Sequence, residues 1–86
     1  MLIKKGIALE FQDQLKKQFA FIIKGRRTKL ALSQEELAFR SDLSPETISN
    51  IENAKSIANL ETIFKLAKGF NINPGHLVNE VYERLQ

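Results

Sequence analysis

Apolar residues recur at three- and four-residue steps along most of this chain, which is the spacing of one face of an α-helix. The first such pattern spans residues 10–31 and contains no proline. Shorter patterns of the same period span residues 33–41 and 44–53, and two more follow Asn59 and Asn73. No alternating strand pattern, repeat or low-complexity tract appears. The sequence therefore predicts an all-α domain of five helices.

Residues 1–9 do not fit this scheme clearly. Leu2, Ile3, Ile7 and Leu9 are apolar, but Gly6 lies among them. A short strand, a coil packed on the body and a fraying terminus are all compatible with this stretch, and the sequence leaves the three alternatives open.

Polar residues suited to begin a helix precede each of the four later patterns. Ser33 and Glu36 have the spacing of a capping box, in which each side chain bonds the other residue's backbone N–H. Ser44, Asn59 and Asn73 are the other predicted N-caps. Proline follows the first and the last of these three, at the helical position where a missing N–H costs nothing.

The segment 43–53, LSPETISNIEN, is the centre of the prediction. Ile48 and Ile51 mark one buried stripe, and the positions around them are polar or small. Short hydrogen-bonding side chains suit recognition better than packing, so we interpret this helix as the second of a helix-turn-helix, the one that enters a DNA major groove. On this segment alone, a short amphipathic helix with a solvated face is an equally good interpretation.

Phe21 and the apolar residues of the last two helices bear on whether the protein forms a dimer. In the fourth helix, five apolar residues are spaced for burial: Leu60, Ile63, Phe64, Leu66 and Ala67. The stripe of the fifth helix is wider than one small core needs, and Phe21 lies off the stripe of the first helix. A homodimer is therefore predicted, with an interface formed by Phe21, Leu77, Val78, Val81, Tyr82 and Leu85. The alternative is that these residues close the core of the monomer.

The charges are unevenly distributed. The 86 residues carry a net charge of +3. Residues 1–43 hold nine bases and five acids, whereas residues 44–86 hold four bases and five acids. A basic half suits a surface that faces a polyanion. The chain has no cysteine, no secretory signal and no apolar run near the roughly 20 residues of a membrane span, so a cytoplasmic location without membrane association is expected.

Catalysis finds little support in the sequence. The one histidine, His76, lies in the first turn of the last helix, and no zinc-protease motif, phosphate loop or nucleophile elbow occurs. We therefore expect neither an enzyme nor a metal or cofactor site.

Taken in order, these segments resemble the phage-repressor (Cro/repressor-like, or Xre) helix-turn-helix family. The similarity lies in Arg27, LSQEELA at 32–38, LS and TIS within 43–49, IE at 51–52, LET at 60–62 and LA at 66–67. It covers about residues 19–78. The expected organisation is an N-terminal extension with the start of helix one at 1–18, the helix-turn-helix domain at 19–78, and the end of the C-terminal helix, with the dimer contact, at 79–86.

The resemblance implies a five-helix, lambda-repressor-like domain with the helix-turn-helix at helices two and three. It also implies binding to double-stranded DNA, usually as a homodimeric transcriptional regulator. Phosphate contacts set the register and base contacts carry the sequence information. The base-edge positions map to Pro45, Glu46, Thr47 and Asn50. The phosphate candidates are Gln34, Arg40, Ser44, Asn53 and Lys55.

A structural ion pair between Arg27 and Glu52 also follows from the family pattern.

The chain departs from the family at four points. Ala31, Asp42 and Ala54 stand where the family has glycine, and Ala58 stands where it has proline. Aspartate tolerates a left-handed conformation, but alanine adopts it only with strain. The backbone is therefore expected to follow a different path near Ala31 and Ala54, with Asn53 taking the left-handed conformation instead.

Three functions remain in competition. The first is a dimeric regulator acting on a palindromic operator, including the small controller proteins of restriction–modification systems. The second is an antitoxin that binds a toxin protein and autoregulates its operon. The third is a helical domain that binds only other proteins. The short tails favour the first.

Overall fold

The computed structural model describes residues 5–86, and the side chains of residues 10–86. Within that range it contains helices and no strand, so the predicted all-α, five-helix fold is confirmed. Predictions for residues 1–4 lie outside the described residues. The helices are α1 (Lys5–Lys29), α2 (Gln34–Ser41), α3 (Pro45–Glu52), α4 (Leu60–Phe70) and α5 (Pro74–Arg84).

The first helix begins earlier than predicted. Residues 5–9 continue α1, so neither a strand nor a coil forms there. Extending an existing helix adds one hydrogen bond for each residue fixed, which makes a few weak positions such as Gly6 tolerable. Residues 10–14 are all exposed, whereas the helix packs against the body from Leu15 onward. The principal extents of 44 × 23 × 21 Å are consistent with this projection of α1.

Every predicted N-cap is confirmed. Ser33 Oγ accepts from the Glu36 N–H at 2.9 Å, and Glu36 Oε1 accepts from the Ser33 N–H at 2.7 Å. The Ser33 backbone N–H, and next its hydroxyl, lower the pKa of Glu36. Asn59 caps α4 through the Thr62 N–H, at 2.8 Å, and the side chains of Ser44 and Asn73 cap α3 and α5.

The C-terminal ends of the first four helices share one geometry. Ala31, Asp42, Ala54 and Asn71 follow α1 to α4 in turn, and their φ angles lie between 56° and 59°. In each case the N–H of the next residue bonds the carbonyl five positions earlier, at 2.9–3.0 Å, which is the Schellman motif.

The prediction of a different backbone path near the two alanines is therefore wrong. Ala31 and Ala54 take the left-handed conformation themselves, and Asn53 has a φ of −96°. A left-handed alanine costs roughly 1–2 kcal/mol. Two closing hydrogen bonds and the burial of Leu32 directly after Ala31 outweigh that cost.

All five helices contribute side chains to one core. Its largest fully buried apolar side chains are Ile23, Leu37, Ile48, Ile51, Leu66 and Leu77. The second helix packs most extensively on α4, and this contact depends on two small residues. A Cβ atom added at Gly69 would overlap the Ser41 hydroxyl and lie 3.2 Å from Ser41 Cβ. Glycine at 69 thus lets α2 approach α4 closely and fixes the position of the helix-turn-helix on the body.

Two burial predictions for α4 are wrong. Leu60 is 68% exposed and Phe64 is 55% exposed. These residues are one helical turn apart, and the core-facing stripe of α4 is carried by Leu66, Ala67 and Phe70 instead. Within residues 5–86, no helix is long and apolar enough to cross a membrane.

Candidate nucleic-acid interface

The second and third helices form a helix-turn-helix whose inner faces belong to the core. Leu37 and Ala38 on α2, and Ile48 and Ile51 on α3, are at most 2% exposed. Between the helices, Asp42 supplies the left-handed turn and half-buried Leu43 packs on the core. The inward faces are thus fixed by burial, and the opposite face of α3 is directed to solvent.

The outward face of α3 carries the predicted base-edge residues. Glu46 is exposed, while Asn50 and Thr47 are partly covered. Asn50 lies two residues after Ile48, which places it on the opposite side of the helix from the buried stripe. Among the described residues, none forms a hydrogen bond with the side chains of Glu46 or Asn50. Their donors and acceptors are therefore available to a ligand.

The other polar side chains of α3 are engaged in local hydrogen bonds. The hydroxyls of Ser44 and Thr47 lie 2.8 Å apart, and Ser44 Oγ also accepts from the Thr47 N–H at 3.0 Å. Asn53 Nδ2 donates to Ser49 Oγ at 3.2 Å. Ser44 is chiefly a helix cap in this arrangement, and exposed Pro45 beside it offers only apolar contact.

The structure brings Arg27 and Glu52 together. Arg27 Nε donates to Glu52 Oε2 at 2.6 Å and Arg27 Nη2 donates to Glu52 Oε1 at 2.9 Å, in a bidentate pair. Their side chains are 12% and 2% exposed. Arg27 Nη1 also donates to the Leu32 carbonyl at 2.7 Å. The hydrogen bonding of Arg27 to the Glu52 carboxylate raises the pKa of Arg27 further. The pair and the Leu32 contact tie α1, the α1–α2 turn and α3 together.

The side chain of Gln34 joins the same network. Gln34 opens α2, and its Nε2 donates to Glu52 Oε1 at 3.0 Å. The predicted phosphate residue at the start of α2 is thus attached to the end of α3.

The free cations near this surface are few. Arg40, in the last turn of α2, and Lys55, just after α3, are exposed. Residues 34–55 hold five acids against these two bases, and Arg27 neutralises one of the acids, Glu52. The excess of bases in the first half of the chain therefore lies on α1 rather than on the helix-turn-helix.

The residues assigned to a dimer contact do not form one surface. Leu77 is fully buried and Val81 is 8% exposed, so Leu77 belongs to the protomer's own core and is inaccessible to a partner. Phe21 is 61% exposed, but the guanidinium of Arg84 lies 4.1 Å from its ring centroid. Helical spacing places Arg84 on the side of α5 opposite Tyr82, so Phe21 and Tyr82 do not share one exposed surface.

The remaining apolar residues of α5 line a groove. This groove has a volume of about 240 Å³ and lies between α5, the middle of α1 and the connection before α4. Its walls include Leu15, Ile57, Val78, Tyr82 and Leu85. Together with the exposed stripe of α4 it forms what we call the α4–α5 apolar face, composed of Ile57, Leu60, Phe64, Val78 and Tyr82, each 45–68% exposed.

Two features were missed at the level of sequence. Phe39, on the outer side of α2, is 88% exposed, which its position opposite Ala38 and Leu37 would have indicated. Arg26 donates to Glu80 at 2.8 Å and holds α1 against α5. No sequence signal marks a pairing between residues this far apart.

Comparison with known proteins places this geometry in a family. The helix-turn-helix family model matches residues 23–77. The restriction–modification controller protein C.AhdI from Aeromonas hydrophila is 34% identical, with 72% of this chain and 94% of that chain aligned and a TM-score of 0.69. No curated protein sequence matches this chain significantly.

Two more distant structures share the fold. The controller protein C.Esp1396I is 24% identical, with 83% of this chain and 91% of that chain aligned and a TM-score of 0.73. The clp gene regulator ClgR from C. glutamicum is 17% identical, with coverages of 84% and 94% and a TM-score of 0.73.

Proposed function

Because this chain belongs to the helix-turn-helix family of DNA-binding regulators, we propose that it is a sequence-specific regulator that binds a palindromic operator in double-stranded DNA as a homodimer. The observation that carries the proposal is the outward face of α3. Asn50 and Glu46 have free polar groups there, on a helix fixed by buried isoleucines and by the Arg27–Glu52 pair. A rigid helix with uncommitted hydrogen-bonding groups is suited to the base edges of a major groove.

Each proposed contact has a distinct chemistry. The Asn50 amide offers a donor and an acceptor together, which match adenine N6 and N7, and the Glu46 carboxylate accepts from cytosine N4. Pro45 and Thr47 contribute apolar and hydroxyl contacts beside them. Arg40 and Lys55 supply charge to phosphates, while Gln34, Ser44 and Asn53 supply neutral polar contacts at the helix ends.

The similarity to C.AhdI favours the controller type among such regulators. We propose that the response depends on the protein's own concentration, through dimerisation and operator occupancy.

The α4–α5 apolar face is the proposed dimer surface. It replaces the interface predicted from sequence, since Leu77 is buried and Phe21 lies on another side. An exposed apolar patch of several large side chains is typical of a protein–protein contact. Binding to two successive major grooves requires the two α3 helices of the proposed dimer to lie about 34 Å apart, one DNA turn.

Selection from a pool of random duplexes tests the function. The expected result is a bound consensus with two inverted half-sites centred about 10 base pairs apart. Recovery of unrelated sequences, with equal affinity for all duplexes at low salt, would contradict sequence-specific binding. Absence of binding to any duplex would favour a protein-binding domain.

Assembly is tested by sedimentation at micromolar concentrations. Tyr82→Asp should shift the protein toward monomer, because it places a charge within the apolar face. Phe39→Asp is the matched control, since it replaces an equally accessible aromatic residue that lies on α2, outside that face, and it should leave the dimer intact. A wild-type protein that stays monomeric at all these concentrations, with and without DNA, would rule out the proposed dimer.

A further inference from the structure

The buried Glu52 carboxylate at the end of α3 accepts more hydrogen bonds than its ion pair with Arg27 supplies. Glu52 Oε2 accepts one hydrogen bond from Arg27 Nε at 2.6 Å. Its Oε1 accepts two, from Arg27 Nη2 at 2.9 Å and from Gln34 Nε2 at 3.0 Å. The Glu52 side chain is 2% exposed, so solvent does not compete for these bonds.

The Gln34 side chain, held by Glu52, lies at the N-terminus of α2, where an anion can bind. Gln34 is the first residue of α2, and in that turn the Ser33 hydroxyl satisfies only the Glu36 N–H. The backbone N–H groups of Gln34 and Glu35 have no partner within the helix. The Gln34 amide carries a second N–H besides the one given to Glu52, and this second donor stays available.

We propose that Glu52 is a positioning residue for DNA binding: it holds the Gln34 amide in place before DNA arrives, so that the second N–H of that amide and the first backbone N–H groups of α2 meet one phosphate. This inference rests on the proposed function. It also means that the ion pair between α1 and α3 has a second role, because the carboxylate that pairs with Arg27 also orients a contact on α2.

The size of the effect follows from side-chain freedom. A glutamine that is free in solution must be immobilised when it binds, and the cost corresponds to roughly a 2- to 13-fold loss of affinity for each protomer. A glutamine that is already held by Glu52 loses this freedom when the protein folds and not when it binds. Removal of the Glu52 carboxylate should therefore weaken DNA binding by this factor and leave the salt dependence unchanged, since the Gln34 amide is neutral.

The test needs a variant that removes the carboxylate without leaving Arg27 as an unpaired buried charge. Glu52→Gln would leave that charge, whereas a buried ion pair replaced by apolar residues of similar volume is usually tolerated. The double variant Arg27→Met/Glu52→Leu meets this requirement. Gln34→Ala is then made in the native chain and in the double variant, and all four proteins are titrated with the selected duplex.

Gln34→Ala is expected to weaken binding in the native chain and to weaken it clearly less in the double variant, where the amide is no longer held. Lys55→Ala is the control, because its phosphate contact does not depend on Glu52 and its cost should be equal in both backgrounds. In the free proteins, ¹⁵N relaxation of the Gln34 side-chain amide should report a rigid group in the native chain and a mobile one in the double variant. A purely structural ion pair would change neither comparison.

Equal costs of Gln34→Ala in the two backgrounds, in a protein that binds DNA, would overturn this inference alone. A native chain that binds no duplex at low salt would overturn the proposed function and this inference together. The native titration separates these two outcomes before any variant is made.

Discussion

At the scale of single residues, the most informative positions are the two left-handed alanines. Ala31 and Ala54 have φ angles of 59° and 58°, in a region that alanine adopts only with strain. The steric preference of alanine disfavours positive φ, so the sequence alone does not predict this conformation. The closing hydrogen bonds of the Schellman motif and the burial that follows the first of these turns decide the backbone path instead.

Ala31→Gly and Ala54→Gly are each expected to raise the free energy of unfolding by about 1 kcal/mol, because glycine relieves the strain of the left-handed conformation. Part of this gain is offset, since glycine also makes the unfolded chain more flexible. Gly25→Ala is the control, since Gly25 is exposed on α1 with no heavy atom within 4 Å of the added Cβ. There alanine should stabilise by roughly 0.5–1 kcal/mol. Urea unfolding of the three variants measures these differences, and destabilisation by either Ala→Gly change would contradict the assigned backbone.

The two neighbouring arginines of α1 provide a second comparison at this scale. Arg27→Met should lower the free energy of unfolding by about 3–5 kcal/mol, because it strands Glu52 at 2% exposure. Arg26→Met breaks a pair whose side chains are 30% and 41% exposed, so it should cost only about 0–1 kcal/mol. Equal urea midpoints for the two variants would show that the Arg27–Glu52 pair is not buried.

At the scale of elements, the sequence was most informative where one residue has one strong local role. Ser33, Ser44, Asn59 and Asn73 were all predicted as N-caps and are confirmed, because a short polar side chain ahead of an apolar period has few other uses. The start of α1 was missed, since residues 5–9 have no cap and no clear period. Exposure of Leu60 and Phe64 was missed because apolar spacing alone does not distinguish the core from a contact surface.

The contact between α2 and α4 depends on Gly69. Gly69→Ala should destabilise the domain by about 1–3 kcal/mol, because the new methyl group overlaps the Ser41 hydroxyl. Ser41→Ala should be nearly neutral, since Ser41 Oγ is buried and has no hydrogen-bond partner among the described residues. Thermal unfolding of the two variants checks the difference. The double variant Gly69→Ala/Ser41→Gly should recover part of the loss, and no recovery would place the cause elsewhere.

At the scale of the whole molecule, charge and apolar surface lie on different parts of the fold. The helix-turn-helix contributes only Arg40 and Lys55 as free cations among residues 34–55. The apolar residues exposed on α4 and α5 form the proposed dimer face. In the proposed dimeric complex, few phosphate contacts per protomer mean that tight binding needs both protomers together with base contacts from α3.

The site could be predicted only in part from the sequence. The family pattern placed Arg27 beside Glu52, and the structure brings them together. The bond from Gln34 to Glu52 joins residues 18 positions apart on two helices, and no local pattern encodes it. The same holds for Arg84, which covers the Phe21 ring from the far end of the chain. Such contacts depend on tertiary packing, which periodicity does not specify.

We propose that α3 reads base edges through Asn50 while flanking cations hold the phosphates. This division of roles is measured by titrating Asn50→Ala and Lys55→Ala with the selected duplex and with random duplex, at several salt concentrations. Asn50→Ala should cost about 1–3 kcal/mol on the selected duplex and little on random DNA, with the salt slope unchanged. Lys55→Ala should weaken both complexes alike and reduce the slope by about one unit per protomer. An equal loss on both duplexes for Asn50→Ala would rule out base reading by this residue, because it would make Asn50 a backbone contact.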